Sequence, residues 1–600
     1  MCGICGFYFN TSVKKETALE SVKLMTSKMK MRGPDGEGIY HKDNIILGHR
    51  RLAIQDLNER SNQPFMSKNG RFFLVYNGEI YNFRELKEDL ISKGIIFYTT
   101  SDTEVLIEMY IFYGIQAFKK FRGMFAIGIW DKFNCELILA RDPYGIKPLY
   151  YSNTERGFLF ASQVKAILVG NQEEYEQEPA GIAGFYLWGS VPEPWTLYKN
   201  IFSLPPGSYL RISDVNSKNS DQLKPVLWED IREYWHSSKI KLDDLQFLVK
   251  ESVTSSVRAH LVSDVPVGIF LSAGVDSTVI AAIASDLGYK IEGITISFDE
   301  FHGRKDDEVP IAGAFSQQYG IKHHIRKFTQ KEFNDSLIDI LESMDQPSID
   351  GVNTWFASKA AKELGFKVVL SGIGGDEIFC GYDSFKTIPL IYRLRKLAGN
   401  GTLFKSLIKI LSYSSLFISH PKFKMMSKYL NSLEDMYFLK RSLFLPEELA
   451  GLMGSNLAKE GIKRLKGGPA GISKYKSDDN LSRISMLEST MYLKNQLLRD
   501  SDWASMAHSL ELRTPLVDIE LLKSLAPYVK NFKGSAGKFF LGKSTSKLLL
   551  KDIFNKPKTG FSTPISSWIN NSKITPYVER EEQMVWGRRW AISLANEFIK

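Results

Sequence analysis

The sequence predicts an α/β protein of two domains, and three observations support this fold class. The chain has 600 residues, more than a single hydrophobic core usually organises. Its first part contains many short apolar runs bounded by turn residues, which is typical of strands. Between residues 240 and 385 strands and helices alternate, as in a parallel sheet covered by helices on both faces. We expect domains over residues 1–215 and 241–600, joined by a linker over residues 216–240.

The composition is that of an ordinary globular protein, with 44% hydrophobic and 24% charged residues. The net charge of +9 is small for this length and does not by itself indicate a nucleic-acid partner. No run reaches the ~18 apolar residues of a membrane span, and the first residues lack the pattern of a secretory leader. The 4 cysteines are too sparse for a disulfide scaffold and fit a reducing compartment, so we predict a cytoplasmic location.

The first domain is expected to be an α-β-β-α sandwich, in which two sheets pack face to face with helices outside. Apolar residues recur with helical spacing over residues 17–29, 83–93 and 103–113. Short apolar runs of the strand type lie between and after these helices. They cover Gly6–Phe9, Asn44–Gly48, Arg71–Tyr76, Met124–Trp130, Glu136–Ala140 and Phe158–Ala161.

The chain begins Met1-Cys2-Gly3, which indicates a nucleophile at the amino terminus. If the initiator methionine is removed, Cys2 carries a thiol and a free α-amine on one carbon, a nucleophile beside its own base. Polar clusters follow at the predicted strand ends, and each cluster alone is compatible with a turn, a hairpin or a helix cap. These clusters are Arg32–Gly36, His49–Ile54, Tyr76–Asn82 and Thr100–Glu104.

Taken together, Cys2 and these clusters resemble the glutaminase domain of class II glutamine amidotransferases, over roughly residues 1–210. The resemblance implies an N-terminal nucleophile fold, in which Cys2 attacks the side-chain amide of glutamine and ammonia is released. It also implies that Asn77 and the backbone N–H of Gly78 form an oxyanion hole for the tetrahedral intermediate.

The same resemblance implies how glutamine is held. Arg51 would pair with the α-carboxylate of glutamine, a task suited to a planar fork of donors. Asp102 and the region of Glu79 would hold the α-amine. Leu52 and Ile54 complete the predicted glutamine site.

In the second domain, an amphipathic helix over residues 244–261 precedes the alternating pattern. The predicted strands are Val267–Leu271, Ile291–Phe298, His323–Phe328 and Lys367–Leu370. The predicted helices between them are Thr278–Leu287, Val309–Tyr319, Lys331–Met344 and Thr354–Leu364. This order predicts a doubly wound parallel sheet, and ligands bind such sheets beyond the carboxyl ends of the strands.

Two loops occupy that position. The first, Ser272–Thr278, is rich in small residues and opens a helix, so its backbone N–H groups can hold an anion. It resembles the PP-loop of ATP pyrophosphatases, which implies ATP as a substrate and cleavage between its α- and β-phosphates. The second loop, within Leu370–Tyr382, resembles a motif of asparagine synthetases.

By these resemblances, Asp276 and Asp376 bind Mg²⁺, which bridges phosphate oxygens and neutralises developing charge. Other residues of the two loops and of one neighbouring strand would line the ATP pocket, largely through backbone atoms. The predicted ATP-binding residues are Leu271, Ser272, Gly274, Asp276, Ser277, Ile296, Ser371 and Gly372.

Ile373 departs from the pattern of the asparagine synthetases, which carry Glu at this position, close to the acyl-adenylate and the incoming ammonia. An isoleucine side chain cannot accept a proton or pair with an ammonium ion. The identity of the amide acceptor is therefore open. It is either aspartate or another carboxylate, such as a uronic acid of a surface polysaccharide precursor.

The last part of the chain is helical in pattern. Residues 388–445 are also basic, which fits a solvated helix face better than a membrane surface. Residues 497–518 and 547–561 again resemble asparagine synthetases. Within the second stretch, Lys547 is the candidate for stabilising charge around the α-phosphate.

The resemblance runs from end to end and predicts a glutamine-hydrolysing asparagine synthetase, in which ammonia passes between the two sites inside the protein. One alternative is a β-lactam synthetase relative that uses no ammonia, and the retained Cys2 argues against it. Another is a non-catalytic regulatory relative, against which Cys2, Asp276 and Asp376 all argue. The oligomeric state is open, with a homodimer as one option.

Overall fold

The computed structural model describes residues 2–214, 223–304, 306–397, 422–465, 479–555 and 585–599, together with Pro564 and Trp568. The middle of the predicted basic region, 398–421, and the predicted motif residues 556–561 lie outside these described residues. Within the described ranges, every helix is too short or too polar to cross a membrane.

The described residues of the N-terminal domain form twelve strands. They are β1 (Gly3–Phe9), β2 (Gly36–Lys42), β3 (Ile45–Arg51), β4 (Phe65–Met66), β5 (Phe72–Ile80), β6 (Gly123–Asp131), β7 (Glu136–Arg141), β8 (Tyr150–Thr154), β9 (Gly157–Ala161), β10 (Ile201–Ser203), β11 (Ser208–Ile212) and β12 (Val226–Leu227). These strands form two six-stranded antiparallel sheets, of order β10-β8-β9-β1-β3-β2 and β12-β11-β7-β6-β5-β4.

The two sheets pack face to face, because successive side chains of a strand point to opposite faces. Ile4 and Tyr8 of β1 lie in the core between the sheets, where Tyr8 meets Trp130 with ring centroids 5.1 Å apart. Cys5 and Phe7 face the helices outside. The outer helices are Lys15–Lys28, Phe83–Ser92, Asp102–Tyr113, Val164–Asn171 and Pro179–Trp188. The predicted α-β-β-α sandwich is confirmed.

The six predicted strands and three predicted helices of this domain coincide with observed elements to within a few residues. Strands β2, β4, β8, β10, β11 and β12 were not predicted. Four of these strands, β2, β4, β10 and β12, lie at sheet edges. An edge strand has a neighbour on one side only and is partly open to solvent, so its sequence does not need a continuous apolar run. Strand β12 lies within the predicted linker and pairs with β11, so the sheet extends beyond residue 215.

The C-terminal domain contains one parallel sheet of five strands. They are β13 (Val267–Phe270), β14 (Glu292–Phe298), β15 (Lys322–Phe328), β16 (Val368–Leu370) and β17 (Glu511–Arg513), in the order β15-β14-β13-β16-β17. The chain runs from β13 outward to β15 and then returns to β16 on the other side of β13. The loops after β13 and β16 therefore meet at the switch point of the sheet, where ligands bind in this fold class.

Helices cover both faces of this sheet, which confirms the predicted doubly wound arrangement. They are Leu242–His260, Val275–Asp286, Val309–Tyr319, Gln330–Ser343 and Val352–Glu363. Local sequence fixes some of their ends. Thr329 and Glu332 form a capping box at the start of helix Gln330–Ser343, and Gly320 ends helix Val309–Tyr319 in the left-handed conformation.

Further helices make up most of the rest of the described chain. They are Gly375–Ile378, Ser384–Leu397, Lys422–Met425, Leu433–Arg441, Leu449–Met453, Ser455–Arg464, Asn480–Leu487, Arg499–Met506, Ile519–Leu525, Ala536–Gly542, Lys551–Asn555 and Trp586–Phe598. Between Asn480–Leu487 and Arg499–Met506 the chain continues as a π-helix over Glu488–Leu498, a form that often occurs at functional sites.

Candidate active sites

Cys2 lies immediately before β1 and is 9% exposed. Its backbone nitrogen donates to Asn77 Oδ1 at 2.9 Å, and its carbonyl oxygen accepts from Arg32 Nε at 3.1 Å. Burial raises the pKa of the Cys2 thiol, and the positive amino terminus and a hydrogen bond from the backbone of Leu52 oppose this only in part. Such a thiol needs a base, and the α-amine freed by removal of the first residue would lie beside it.

Asn77, in β5, is fully buried beside Cys2. Because its Oδ1 accepts from Cys2, its Nδ2 faces away from that bond, and the described residues offer Nδ2 no acceptor. A Cβ added to Gly78 would lie 2.0 Å from the carbonyl oxygen of Met124, so the pairing of β5 with β6 requires glycine here. A preoriented, unpaired donor next to Cys2 is what an oxyanion hole needs.

Arg51 and Asp102, two of the predicted glutamine-binding residues, are a basic and an acidic side chain. The guanidinium of Arg51 donates to the carbonyl of Asn58 at 2.9 Å and to Asn62 Oδ1 at 2.8 Å, and no carboxylate of the described chain lies within 4.0 Å of it. Asp102 Oδ2 accepts from the Tyr76 hydroxyl at 2.9 Å and from the backbone N–H of Ile80 at 3.1 Å. Burial raises the pKa of Asp102, although these hydrogen bonds favour its charged form.

Glu79, another predicted glutamine-binding residue, lies at the domain interface. Its carboxylate accepts from Gln55 Nε2 at 2.6 Å, and its Oε1 is 3.4 Å from Arg513 Nη2 of the C-terminal domain. Arg513, in β17, also donates to Glu511 at 2.6 Å. Burial, and then the negative charge of Glu511, raise the pKa of Glu79 well above its usual range. The predicted glutamine site is therefore connected to the sheet of the other domain.

The two remaining predicted residues of this site are buried apolar side chains. Leu52 is 4% exposed, and its backbone reaches the Cys2 thiol. Ile54 is 2% exposed, and its carbonyl oxygen accepts from the backbone N–H of Asp264 at 3.2 Å. Both lie between Arg51 and the C-terminal domain, so this segment also belongs to the interface.

The predicted PP-loop joins β13 to helix Val275–Asp286. Within it, the hydroxyls of Ser272 and Ser277 lie 2.8 Å apart, and the N–H of Gly274 donates to Ser272 Oγ at 3.2 Å. The loop after β16 packs directly on it. A Cβ added to Gly372 would lie 2.9 Å from the backbone nitrogen of Ser277, and one added to Gly375 would lie 2.4 Å from Asp276 Oδ1.

Asp276 and Asp376 come together as predicted. Lys538 Nζ is 2.5 Å from Asp276 Oδ1 and 2.8 Å from Asp376 Oδ1, so both carboxylates reach one point in space. Burial would lower the pKa of Lys538, but the two carboxylates raise it strongly. Two convergent carboxylate oxygens at a phosphate-binding loop are a donor set that fits Mg²⁺, which usually takes one or two carboxylates plus substrate phosphates.

The other predicted ATP-site residues lie around these loops. Leu271, Ile296 and Ser371 are all less than 9% exposed. The carbonyl oxygen of Leu271 accepts from Thr295 Oγ1 at 2.6 Å, and the N–H of Ser371 donates to the carbonyl of Arg513 at 2.8 Å. These contacts fix the backbone at the ends of β13 and β16.

Lys547 is not brought to the predicted ATP site. It is exposed, and its Nζ donates to the carbonyl oxygen of Gln318 at 3.0 Å, at the end of helix Val309–Tyr319. Lys538, which the sequence reasoning did not single out, lies there instead. No motif surrounds Lys538, and only the packing of helix Ala536–Gly542 beside helix Val275–Asp286 brings it to the two carboxylates.

A second group that the sequence reasoning missed is a pair of acidic residues, Asp350 and Asp500. Asp500 Oδ1 accepts from Trp503 Nε1 at 2.8 Å, and its Oδ2 accepts from Ser348 Oγ at 2.7 Å. Burial, and then the charge of Asp350, raise the pKa of Asp500 to about 8. The two residues are 150 positions apart in the sequence, so no local pattern relates them.

A cavity of about 20 Å³ lies between the two domains, large enough for one water-sized molecule. Its lining comes from both domains and includes several charged side chains. The charged lining residues are Arg32, Arg141, Glu193, Asp345, Lys494, Arg499 and Asp502.

Comparisons with known proteins agree with this arrangement. A family described as glutamine amidotransferase domain matches residues 1–223, and a family described as asparagine synthase matches residues 248–581. Asparagine synthetase (glutamine-hydrolyzing) 1 of Bacillus subtilis is 30% identical over 585 residues, which cover 95% of this chain and 88% of that protein. Asparagine synthetase (glutamine-hydrolyzing) 3 of the same organism is 29% identical over 588 residues, 94% of this chain and 87% of that protein.

One relative carries a different name. Amidase chry2 of Gibberella zeae is 29% identical over 418 residues, which cover 65% of this chain and 60% of that protein.

Proposed function

The chain belongs to the asparagine synthase family, and from this we propose that it is an amidotransferase that makes asparagine from aspartate, glutamine and ATP through a β-aspartyl-adenylate. The observation that carries the glutaminase half is Asn77, whose buried Nδ2 stands without an acceptor in the described chain, beside Cys2. The observation that carries the synthetase half is the convergence of Asp276 and Asp376 at the PP-loop.

In the glutaminase half, the Cys2 α-amine takes the thiol proton and the sulfur attacks the side-chain amide carbon of glutamine. Asn77 Nδ2 and the Gly78 N–H donate to the oxygen that becomes negative in the tetrahedral intermediate. Collapse releases ammonia and leaves a thioester, which water hydrolyses to glutamate. Arg51 and Asp102 bind the two charged ends of glutamine and hold its amide at the sulfur.

In the synthetase half, the acceptor carboxylate attacks the α-phosphorus of ATP and pyrophosphate leaves, giving an acyl-adenylate. The Ser272–Ser277 loop binds phosphate through backbone N–H groups and hydroxyls. Asp276 and Asp376 would hold Mg²⁺, which would supply charge neutralisation at the phosphates. Ammonia then attacks the acyl carbon, a proton is lost, and AMP leaves. We assign to Lys538, rather than to Lys547, the cationic role near the phosphates, because Lys538 already lies at both carboxylates.

Ammonia must travel from Cys2 to the acyl-adenylate without becoming ammonium in bulk water. The cavity between the domains supports such an internal route, because it lies beside Arg32, which contacts Cys2, and because residues of both domains line it. Its volume of about 20 Å³ suits a molecule the size of water or ammonia.

A second candidate acceptor is a carboxylic acid other than aspartate, such as a uronic acid, and Ile373 favours it. This side chain is partly buried against the hydrophobic core of the C-terminal domain, so it gives the acceptor an apolar neighbour in place of an acid. The chemistry of the rest of the site is unchanged by this substitution.

The proposal is tested by ATP–pyrophosphate exchange with aspartate and with a panel of amino acids, uronic acids and other carboxylates. Exchange that depends on aspartate supports asparagine synthesis. Exchange with another carboxylate alone supports the second candidate, and no exchange with any acid contradicts both.

Glutamine and ATP are the proposed co-substrates and Mg²⁺ the proposed cofactor. We also propose that the enzyme is cytoplasmic and works without a nucleic-acid partner, and that it forms a homodimer if it is not a monomer. All four cysteines are free thiols, which is consistent with a reducing compartment.

A further inference from the structure

We propose that Asp502, a residue of the C-terminal domain, is a positioning residue for the Cys2 nucleophile of the N-terminal domain. Its effect passes through Arg32, whose Nε donates to the carbonyl oxygen of Cys2 at 3.1 Å. The other end of the same guanidinium is bound by Asp502, with Nη1 2.6 Å from Oδ2 and Nη2 3.0 Å from Oδ1. The inference rests on the proposed role of Cys2 as the glutaminase nucleophile.

Cys2 depends on such contacts because the sheet does not hold it. The pairing of β1 with β3 begins at Gly3, which lies opposite Arg50, so Cys2 precedes the first paired residue. Two side-chain contacts hold its backbone instead. Asn77 Oδ1 accepts from its nitrogen at 2.9 Å, and Arg32 donates to its carbonyl. These two contacts orient the Cys2 backbone and the α-amine it gains, and the thiol itself also accepts a hydrogen bond from the backbone of Leu52.

The Asp502 pair fixes the direction in which Arg32 donates. A guanidinium is planar, and two parallel hydrogen bonds to one carboxylate hold both its position and its plane. The direction of the Arg32 Nε–H bond is then fixed, and it is directed at the carbonyl oxygen of Cys2. Without the carboxylate, the guanidinium could rotate about its long side chain and the Cys2 carbonyl would lose a fixed donor.

The pair is also shielded from water, which makes it rigid. The side chains of Arg32 and Asp502 are 2% and 6% exposed. Lys147 Nζ lies 3.9 Å from Asp502 Oδ1 and is 1% exposed, so one buried carboxylate serves two buried cations. Ion pairs of this kind are costly to break singly, because the partner is left as a buried charge.

The consequence is that the glutaminase site is complete only when the two domains are docked. Asp502 lies on helix Arg499–Met506, which continues the π-helix Glu488–Leu498 of the C-terminal domain. An N-terminal domain that separates from this helix loses the carboxylate that orients Arg32. The separated enzyme would then hydrolyse glutamine slowly. Little ammonia would therefore be produced while the two domains are apart and the acyl-adenylate cannot receive it.

The chain provides a matched control in a second ion pair across the same interface. Arg122 Nε and Nη2 bind Asp518 Oδ2 and Oδ1 at 2.8 and 3.0 Å, again in the bidentate form. Asp518 is 2% exposed, so this pair too is buried. Cys2 is not among the hydrogen-bond partners of either residue in the described chain. Asp502→Asn and Asp518→Asn therefore remove the same charge from the same interface, and only the first acts on Arg32.

The experiment measures glutamine hydrolysis, ammonia-dependent synthesis, thermal unfolding and the rate of Cys2 alkylation by iodoacetamide in the full chain. We expect Asp502→Asn to lower kcat for glutamine hydrolysis about tenfold or more, with KM for glutamine changed less than about threefold, because misplaced reacting atoms lower the rate more than the binding. Ammonia-dependent synthesis should persist. Asp518→Asn should keep kcat within about threefold of the native chain.

The proposal is overturned if Asp502→Asn and Asp518→Asn lower kcat for glutamine hydrolysis equally. It is also overturned if the lower kcat of Asp502→Asn is explained by the fraction of the protein that is unfolded at the assay temperature. A second variant, Arg32→Lys, keeps the positive charge but cannot contact Cys2 and both Asp502 oxygens together. It should lower kcat as Asp502→Asn does, and the double variant should be no worse than either single one. Native kcat in Arg32→Lys contradicts the proposal even if Asp502→Asn fails to fold.

Failure of the proposed function would be visible separately. If the native chain hydrolyses no glutamine, Cys2 is not a glutaminase nucleophile. The alkylation rates still decide the positioning role, since a displaced Cys2 changes its rate in Asp502→Asn and not in Asp518→Asn. Equal alkylation rates in all three proteins contradict it.

Discussion

The two candidate sites of this protein are built in different ways, and the difference explains what each needs from the rest of the chain. The N-terminal site draws Cys2, Arg51, Asn77 and Asp102 from the first 102 residues, on and beside two sheets. The C-terminal site draws Asp276, Asp376 and Lys538 from three segments that span 262 residues.

The sites also differ in burial. Cys2, Asn77 and Asp102 are at most 9% exposed, whereas the carboxylates of Asp276 and Asp376 are 19% and 17% exposed. A site for a small amino acid can be closed on all sides, and one for ATP and a second substrate must remain open. The closed site nevertheless depends on the open domain, through Arg32 and Asp502 and through Glu79 and Arg513. The comparison therefore predicts two active sites that can be disabled separately.

The largest effect should come from removing the nucleophile. Cys2→Ala is expected to abolish glutamine-dependent synthesis, because no other thiol stands at the unpaired donor of Asn77. Synthesis with added ammonia should continue at the native rate, because the C-terminal site is untouched. Both activities are measured by pyrophosphate release. Loss of both together would mean that the two sites are not separable.

The converse change is Asp276→Asn, which removes one of the two convergent carboxylates. We expect ATP–pyrophosphate exchange to disappear, since Mg²⁺ loses a charged ligand and Lys538 loses a partner. Glutamine hydrolysis should remain measurable as glutamate release. Exchange at the native rate would contradict the assignment of Asp276.

A smaller loss is expected for Asn77→Ala, which removes one donor of the oxyanion hole and one contact to the Cys2 backbone. Glutamine hydrolysis should fall about 100- to 1000-fold in kcat. Ammonia-dependent synthesis serves as the control and should not change. If Asn77→Ala raised KM for glutamine and left kcat unchanged, Asn77 would contribute to substrate binding alone.

Asp500 makes a prediction about stability and pH within the C-terminal domain. Burial and Asp350 raise its pKa from 3.8 to about 8 in the folded chain, so the folded state binds the proton more tightly than the unfolded state. The stability this group contributes is complete below pH about 4 and is lost as the pH rises through about 8. Asp500→Asn, which stays neutral, should raise the melting temperature relative to the native chain at pH 8.5, and this gain should become steadily smaller as the pH is lowered toward about 4.

The smallest effect is expected for Lys547→Ala, because Lys547 is exposed and bonds only to a carbonyl oxygen and a tyrosine face. Its kcat for synthesis should stay within about twofold of the native value. Lys538→Ala, in contrast, leaves the two carboxylates of the ATP site without their shared cation and should lower pyrophosphate exchange strongly. The reverse order of these two variants would restore the role first predicted for Lys547.

The sequence by itself determined the fold class and most of the central elements, and it predicted the residues of the N-terminal site. Strand and helix periodicities are local, and Cys2, Arg51, Asn77 and Asp102 each lie in a short motif at the end or start of an element. The same was true of the loops after β13 and β16, because each loop follows its strand directly. Edge strands such as β2 and β12 were missed, since they need backbone pairing and little apolar burial.

Only the tertiary structure decided which distant residues complete the sites. Lys538 lies on a helix whose local sequence gives no sign of function, and the family-like stretch around Asp500 and Asp502 does not show which residues they meet. Each of the three acquires its role from a residue 100 or more positions away. The prediction of Lys547 followed local similarity alone, and packing places Lys538 between the two carboxylates. Charges in a folded chain act over a few ångströms of space whatever their separation in sequence, and it is the packing of the domains that sets those distances.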